Sequence, residues 1–344
     1  MPEIKAAPPT REGFASLSLY ELAGRRVSVE TDAEWVGRFA RDFMKGFRLT
    51  PRAEAHAGGR VDLRLQVRAA APPPLPPGLT EFKVQGGSCH ADARSYHIDV
   101  GPSRVAVGPV EERSVTVWLG ETDVRARRDG SLLTAMSYAL LAALRRCRLY
   151  DFHAAGLVEP RSGRCFLFPG SSGSGKTSLA LRLSASGWGY LSDDLLAVFD
   201  AEGAVEARGL RYPFQTDAET LAGVSLARLE EALGPAIPYD PTKRKLDPAI
   251  AFPGQLASTA TPAVLCFPSV TGEEVSRVER VGQSDAMMRL LAMCPWASYD
   301  ASAARDHLAM LGRLVRQCET YSLNAGRDIF DDPRGADRLL APLS

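Results

Sequence analysis

The sequence predicts a mixed α/β protein, with a smaller strand-rich α+β domain over residues 1–130 and a larger α/β domain over residues 131–344. Three observations predict it. Before Ser131, segments such as "RVDLRLQVRA" alternate apolar and polar positions, the pattern of half-buried strands. Residues 170–177, "GSSGSGKT", form a glycine-rich turn between an apolar run, "RCFLFP", and a helical run, "TSLALRLSAS". Two adjacent carboxylates, Asp193 and Asp194, follow a second short apolar run, "GYL".

The bulk composition agrees. A length of 344 residues suits two domains, and 45% hydrophobic with 24% charged residues suits a globular chain that buries a core. The 41 basic and 41 acidic residues leave a formal net charge of +0, so no global basic field draws the chain to nucleic acid. "MPEIKAAPPTREG" has no apolar signal core, and the most apolar helical run, "LLTAMSYALLAALRR", is too short to span a bilayer. The expectation is a cytoplasmic protein with no membrane partner. The six cysteines form no C-x-x-C, and Cys89, His90 and His97 lack a fourth ligand, so neither a disulfide framework nor a zinc site is expected. Only six of the 41 basic residues are lysines, and three of those, Lys176, Lys243 and Lys245, fall in two segments discussed below.

Along the chain, "SLSLYELAGRRVSVET" reads as one or two strands. "TDAEWVGRFARDFMKGF" reads as a helix capped by Thr31, with Trp35, Phe39 and Phe43 recurring every four residues. Val61, Leu63, Leu65 and Val67 share the apolar face of the next strand. "APPPLPPG" is an exposed loop, since its prolines exclude helix and central strand. "SYHIDV", "SRVAVG" and "SVTVWLG" suggest a meander, and a helix runs from about Ser131 to Arg148. "DFHAAGLVE" and "GRCFLFPG" read as a hairpin or adjacent strands. Further strands are expected at "AVFDAEG", "GAVEARGL", "AVLCFPSV", "VSRVERV" and "ETYSLN". Helices are expected near 284–293 and 301–317, and a last one is opened by Asp332 and Pro333.

The turn matches G-x-x-x-x-G-K-S/T at Gly170, Gly175, Lys176 and Thr177, with Ser171, Ser172, Gly173 and Ser174 between. Its chemistry requires these residue types. Glycines let successive N–H groups face phosphate oxygens without a side-chain clash. Lys176 neutralises the outer phosphates, the Thr177 hydroxyl can ligate Mg²⁺, and Ser178 continues a helix whose N-terminus favours anions. The strand before and the helix after supply the context that the motif needs. Between Lys176 and the pair Asp193 and Asp194 there is room for one helix and the short strand "GYL". In a parallel arrangement that strand would end beside the cradle, where the carboxylates could face Mg²⁺ and an incoming nucleophile. The alternative is a cap or turn, in which Asp is common.

Taken together, "FHAAGLV" with His153, the cradle, and "YLSDDLL" with Asp193 and Asp194 resemble the C-terminal catalytic domain of HPr kinase/phosphorylase over roughly residues 145 to 325. The resemblance implies a P-loop domain of the HPr-kinase-like, PEP-carboxykinase-like fold, with ATP or another NTP and Mg²⁺ as cofactors. It implies that Asp193 and Asp194 share the work of general base and metal organiser, with Thr177 and Asp194 at the metal and His153 near the transferring phosphate. "EARGL" is similar to part of the family's later signature and would add Glu206 at the metal. It lies nearer the Asp pair than in the family, and the segment before Ser131 does not match the family's N-terminal domain. The chain therefore looks like an HPr-kinase-related serine kinase, which leaves the acceptor, the reverse reaction and the family's homo-oligomer open.

"DPTKRKLDP" brackets Lys243, Arg244 and Lys245 with prolines and is expected as a basic loop, either closing over phosphates or simply solvated. Arg208 and Arg211 are competing candidates for phosphate contacts. The reading is an ATP- and Mg²⁺-dependent kinase that transfers the γ-phosphoryl group to a hydroxyl, Ser of a peptide or protein first. Its alternatives are a small-molecule kinase and a non-catalytic nucleotide-binding switch. A fragment from about residue 125 is expected to bind nucleotide while losing acceptor phosphorylation.

Overall fold

The computed structural model describes residues 16–52, 61–120, 130–237 and 240–343. The N-terminal run on which the expected lack of a signal sequence rests lies outside the described residues. In the first half, β1 (Ser16–Leu22) and β2 (Arg25–Thr31) form a hairpin. Its turn residues Ala23 and Gly24 both have left-handed φ, 48° and 72°, the geometry of tight two-residue turns. There follow α1 (Glu34–Met44), β3 (Thr50–Arg52), β4 (Leu63–Arg68), β5 (Thr80–Val84), β6 (Gly87–Ala91), β7 (Tyr96–Val100), β8 (Ser103–Val107) and β9 (Ser114–Trp118). They build one nine-stranded sheet in the order β3-β1-β2-β4-β9-β8-β7-β6-β5. The expected meander is β7–β9, and the unexpected strands β5 and β6 extend it to the sheet edge. The parallel pairs β2–β4 and β4–β9 stitch it to the first hairpin.

The buried stripe of α1 is Val36, Ala40, Phe43 and Met44, with Trp35 and Phe39 at its margin. Thr31 does not cap this helix. It ends β2, and its hydroxyl lies 2.7 Å from Ser16 Oγ, so Ala33 takes the cap position without a side-chain bond. Together with α2 (Ser131–Arg146), α1 packs against the sheet over Leu65, Val67, Val105 and Val117.

The second half opens with β10 (Tyr150–Val158), β11 (Cys165–Pro169), α3 (Lys176–Ala185), β12 (Gly189–Ser192), β13 (Leu195–Ala201) and β14 (Ala204–Gly209). It continues with β15 (Phe214–Thr216), α4 (Ala218–Gly223), β16 (Leu233–Ile237), β17 (Asp240–Leu246), α5 (Pro248–Ala251), β18 (Thr259–Ala260), β19 (Pro262–Val270) and β20 (Arg277–Arg280). It closes with α6 (Gln283–Ala292), α7 (Ala301–Gln317), β21 (Glu319–Ala325), α8 (Asp328–Asp331) and α9 (Gly335–Leu340). The main sheet runs β18-β14-β13-β10-β11-β19-β21-β20, with β12 also beside β10. β11, β19 and β21 are mutually parallel and the other pairs antiparallel, so the sheet is mixed.

Two local expectations are corrected. "DPTKRKLDP" is not a loop but β17, the middle strand of the small sheet β15-β17-β16. Its prolines do no harm there: β15 pairs only with Arg244 to Leu246, beyond Pro241, and Pro248 starts α5, where no N–H is needed. The last helix begins at Gly335 rather than at Pro333, because the Asp332 carboxylate accepts from the Arg334 N–H at 2.8 Å and holds a turn instead.

The hydrophobic core does not divide at residues 130–131. One contiguous cluster joins Val27, Leu65 and Val117 of the first sheet, Leu140 and Leu144 of α2, Phe152 and Leu196 of the second sheet, and Leu311 and Leu314 of α7. A fragment starting near residue 125 would expose the buried side of α2, so it is expected to misfold before it could bind anything. A charged seam runs through the same junction. Asp300 caps α7, accepts from Arg146 at 2.9 and 3.1 Å and from Tyr96 Oη at 3.2 Å, and lies 3.5 Å from Arg145. Arg145 also donates to Asp151 at 2.9 Å. These groups are buried, so removing one strands the others. Asp300→Ala is expected to cost about 3–5 kcal/mol of folding free energy, measured by denaturant unfolding.

Candidate functional site

Strand β10 organises the site. On one edge Ala154 pairs with Pro169 of β11, and the Gly170 N–H donates to the His153 carbonyl at 3.3 Å. On its other edge β12 and β13 follow one another antiparallel to β10: Val158 faces Gly189, Leu157 faces Tyr190, and His153 faces Leu195. Register slips near Ser192, and Asp193 and Asp194 occupy the interruption. There the Asp194 carbonyl still accepts from the Ala154 N–H at 3.0 Å. β12 thus runs in the same direction as β11 with one strand between them, which brings the C-terminal ends of both to the same edge. The cradle and the carboxylates are two strand spacings apart, about 10 Å between backbones.

The loop from Gly170 to Gly175 links β11 to α3. Gly173 and Gly175 have φ of +82° and +89°, which side chains other than glycine's rarely allow. Ser171, Ser172 and Gly173 are exposed. The first N–H groups of α3, at Lys176, Thr177 and Ser178, have no carbonyl one turn back within the helix. Lys176 Nζ turns inward and donates to the Gly170 and Ser171 carbonyls at 2.7 and 2.8 Å. Burial lowers the Lys176 pKa and the Lys243 charge lowers it further, while Asp194 and Asp193 oppose both. Ser174 Oγ is buried without a partner among the described residues. Free helix-end amides, glycine at the strained positions and an orphaned hydroxyl fit a phosphate group.

The two carboxylates are distinct. The Asp193 side chain is sealed in. It accepts from Thr177 Oγ1 at 3.2 Å on one oxygen and lies 3.2 Å from Tyr190 Oη on the other. Burial, then the neighbouring Asp194 charge, push its carboxyl up to about 7, against the hydrogen bonds from Thr177, Tyr190 and the Gln215 backbone. Asp194 is partly open. Arg211 Nη1 donates to its Oδ2 at 2.7 Å, and His153 Nδ1 lies 3.4 Å from its Oδ1. Burial alone would push Asp194 up, but the His153 hydrogen bond and the Arg211, His153 and Lys176 charges hold it well below the usual carboxylate range. The same bond raises His153, against burial. The His153 side chain is 56% exposed, so the site opens to solvent on that side.

Asp193, Asp194, His153, Lys176, Thr177 and Arg211 therefore come together. Lys243 stands near enough to act on Lys176, whereas Arg244 is tied to the Gly234 and Leu233 carbonyls at 2.7 and 2.6 Å, and Lys245 is exposed. Glu206 does not join them: it faces Phe199, five residues along β13 from Asp194, about 16 Å away. Arg208 is instead near enough to feel the charge of Glu21 and to act on Arg48, both of the first half. Sequence reasoning missed Tyr190, Tyr212 and Arg48. Tyr190 was within reach, at a strand position just before Asp193. Arg48 lies in the other half of the chain and carries no local signal.

The Asp193 environment gives a test that needs no substrate. Its carboxyl is near 7 when folded and near 3.8 when unfolded, so folding favours the protonated form. That contribution is complete below about pH 4 and is lost as pH rises through 7. Asp193→Asn removes the loss. Relative to wild type, the variant is expected to gain on the order of 2–4 kcal/mol between pH 4 and pH 8, read by denaturant unfolding without Mg²⁺.

Among the described residues, no helix is long and apolar enough to cross a membrane, and no group of three or more His, Cys, Asp and Glu side chains forms a metal cluster. No protein-family model and no curated protein matches the chain. Among solved structures it is similar to the Hpr(Ser) kinase/phosphatase from Coxiella burnetii, with 13% identity and a TM-score of 0.25, over 38% of this chain and 72% of that one.

Proposed function

We propose that the chain is an NTP- and Mg²⁺-dependent phosphotransferase that carries a γ-phosphoryl group to a hydroxyl, Ser of a peptide or protein. One observation carries the reading: a glycine-rich loop opening a helix, with Lys176 and Thr177 at its start, is hydrogen-bonded through Thr177 to one of two adjacent carboxylates in unlike environments. Paired titratable groups pushed apart by their surroundings divide the labour of a reaction.

Thr177, oriented by Asp193, would hold Mg²⁺, which supplies charge neutralisation on the outer phosphates when bound. The loop amides and Lys176 would fix those phosphates. Asp193 accepts from the Thr177 hydroxyl and lies behind it, so it serves the metal end by orienting Thr177. Asp194 faces solvent beside His153 and takes the proton of the acceptor hydroxyl as its oxygen bonds to phosphorus and the γ-phosphorus–oxygen bond to the leaving nucleoside diphosphate breaks. The Arg211 pair makes Asp194 a weak base. A weak base suffices where transfer is loose, because the hydroxyl becomes acidic only late. Arg211 and His153 flank the space that the transferring group would enter. The openness at His153 favours a peptide or protein over an enclosed metabolite.

The test is incubation of the full chain with Mg²⁺ and γ-labelled ATP, with and without Ser-containing peptides. Label on a peptide hydroxyl supports the reading. Tight Mg²⁺·ATP binding with neither transfer nor turnover would make the chain a nucleotide switch.

A further inference from the structure

We propose that the segment Gly46–Leu49 of the N-terminal half is a positioning arm of the catalytic site, in which Phe47 and Arg48 steady Arg211 and Tyr190 and, through them, both carboxylates; this rests on the function proposed above. The arm leaves the end of α1 and pairs with the chain just after β14. The Arg48 N–H donates to the Leu210 carbonyl at 2.9 Å, the Tyr212 N–H to the Gly46 carbonyl at 3.4 Å, and Phe47 and Arg211 face each other in an antiparallel bridge.

Two chains of contact run from it. The Arg211 guanidinium sits 6.0 Å from the centre of the Phe47 ring and reaches on to Asp194. The Arg48 guanidinium lies 5.7 Å from the Tyr190 ring centre and 5.5 Å from that of Tyr212. The Tyr190 hydroxyl in turn lies 3.2 Å from Asp193 Oδ1 and 3.3 Å from the Tyr212 carbonyl. One arm residue therefore stands behind each carboxylate. Phe47 also packs on Phe43 of α1, with ring centres 4.9 Å apart, which roots the arm in the first core.

The chemistry at Arg48 is costly for mere adhesion. Its Nη1 donates to the Ala257 carbonyl, but its Nε and Nη2 are buried with no hydrogen-bond partner among the described residues, and Arg208 stands near as a like charge. Two tyrosine faces are what offset the cation. A leucine or methionine would seal this junction at less expense, since buried charge is seldom the stabler choice. What an apolar residue would not do is fix the plane of Tyr190, and with it the hydroxyl that meets Asp193.

The experiment uses the full chain with Arg48→Met and Arg48→Lys. Exchange of the Ala154 amide, which donates to the Asp194 carbonyl, is followed by hydrogen exchange, beside Mg²⁺·ATP affinity and ATP turnover. Arg48→Met is expected to speed Ala154 exchange at least tenfold with β19 and α7 unchanged. It should lower turnover at least tenfold while the ATP Kd moves less than threefold. Arg48→Lys should restore most of both, because the cation and its two rings remain. Unchanged Ala154 exchange in Arg48→Met overturns the arm whatever the enzyme does. Faster exchange throughout the chain, or equal losses in Kd and turnover, also overturns it, as general destabilisation. Failure of the wild-type chain to bind Mg²⁺·ATP would instead sink the phosphotransferase reading, and the exchange result would still decide the arm.

Discussion

Lys176→Ala is expected to lower phosphoryl transfer by roughly a thousandfold or more, the scale seen when a cation that steadies transferring phosphates is removed. Lys176 sits at the first turn of α3 with its ammonium group folded onto the Gly170 and Ser171 carbonyls. In that pose it braces the loop, and phosphates would compete for the same three N–H donors. The alanine variant loses both functions. Its core should be untouched, because α3 remains anchored by Leu179, Ala180 and Leu183. Lys176→Arg should not rescue it, since a planar guanidinium cannot fold into the space of an ammonium. ATP turnover in single-turnover format, beside the thermal midpoint, checks this. A wild-type rate would mean that the loop is not where the chemistry happens.

Asp194→Asn and Asp193→Asn should separate by kind of defect. Asp194→Asn removes the open carboxylate and the anion that holds Arg211 and His153, so transfer to a hydroxyl should fall by about a hundredfold or more. Nucleotide affinity should change little, because the loop and Thr177 remain. Asp193→Asn should weaken Mg²⁺·ATP binding first, since its oxygen is the one on Thr177. With the Asp193 carboxyl near 7, Mg²⁺ affinity of the wild type should rise as pH climbs through that value, and the Asn variant should lose that rise. Calorimetric affinity at pH 6 and pH 8, with transfer rates for each variant, checks the assignment. Two near-wild-type transfer rates would reduce the pair to a strand interruption.

The parts legible in the sequence were those with a local physical signature. The strand–loop–helix around Lys176 has one, because glycine, apolar period and helix start all lie within a short stretch. The β10–β11 hairpin and the strand before Asp193 have one too. What escaped was set by partners far along the chain. Val61 to Val67 announced a strand, but nothing in it says that β4 lies parallel between β2 and β9. The prolines of "DPTKRKLDP" argued for a loop, and lost because Pro241 lies outside the stretch paired with β15 and Pro248 beyond it. Glu206 sits in a stretch similar to a family signature, yet strand register carries it down the sheet from Asp194. Arg211 was one of several arginines until a fold put its guanidinium on Asp194. The division near residue 130 followed a change of pattern, whereas the core follows buried surface and continues through α2.

The bridge between Phe47 and Arg211 bears on recombination. Exchanging the N-terminal half between related sequences at the α2 boundary would separate side chains that meet across it. On the proposed function, a chimera would keep the Gly170–Gly175 loop intact and still transfer poorly, because Gly46–Leu49 would arrive from one parent and Leu210–Tyr212 from the other. Lineages could shuffle this half only by co-inheriting both stretches, so compensating changes at positions 47, 48, 190, 211 and 212 are where such events would leave their trace.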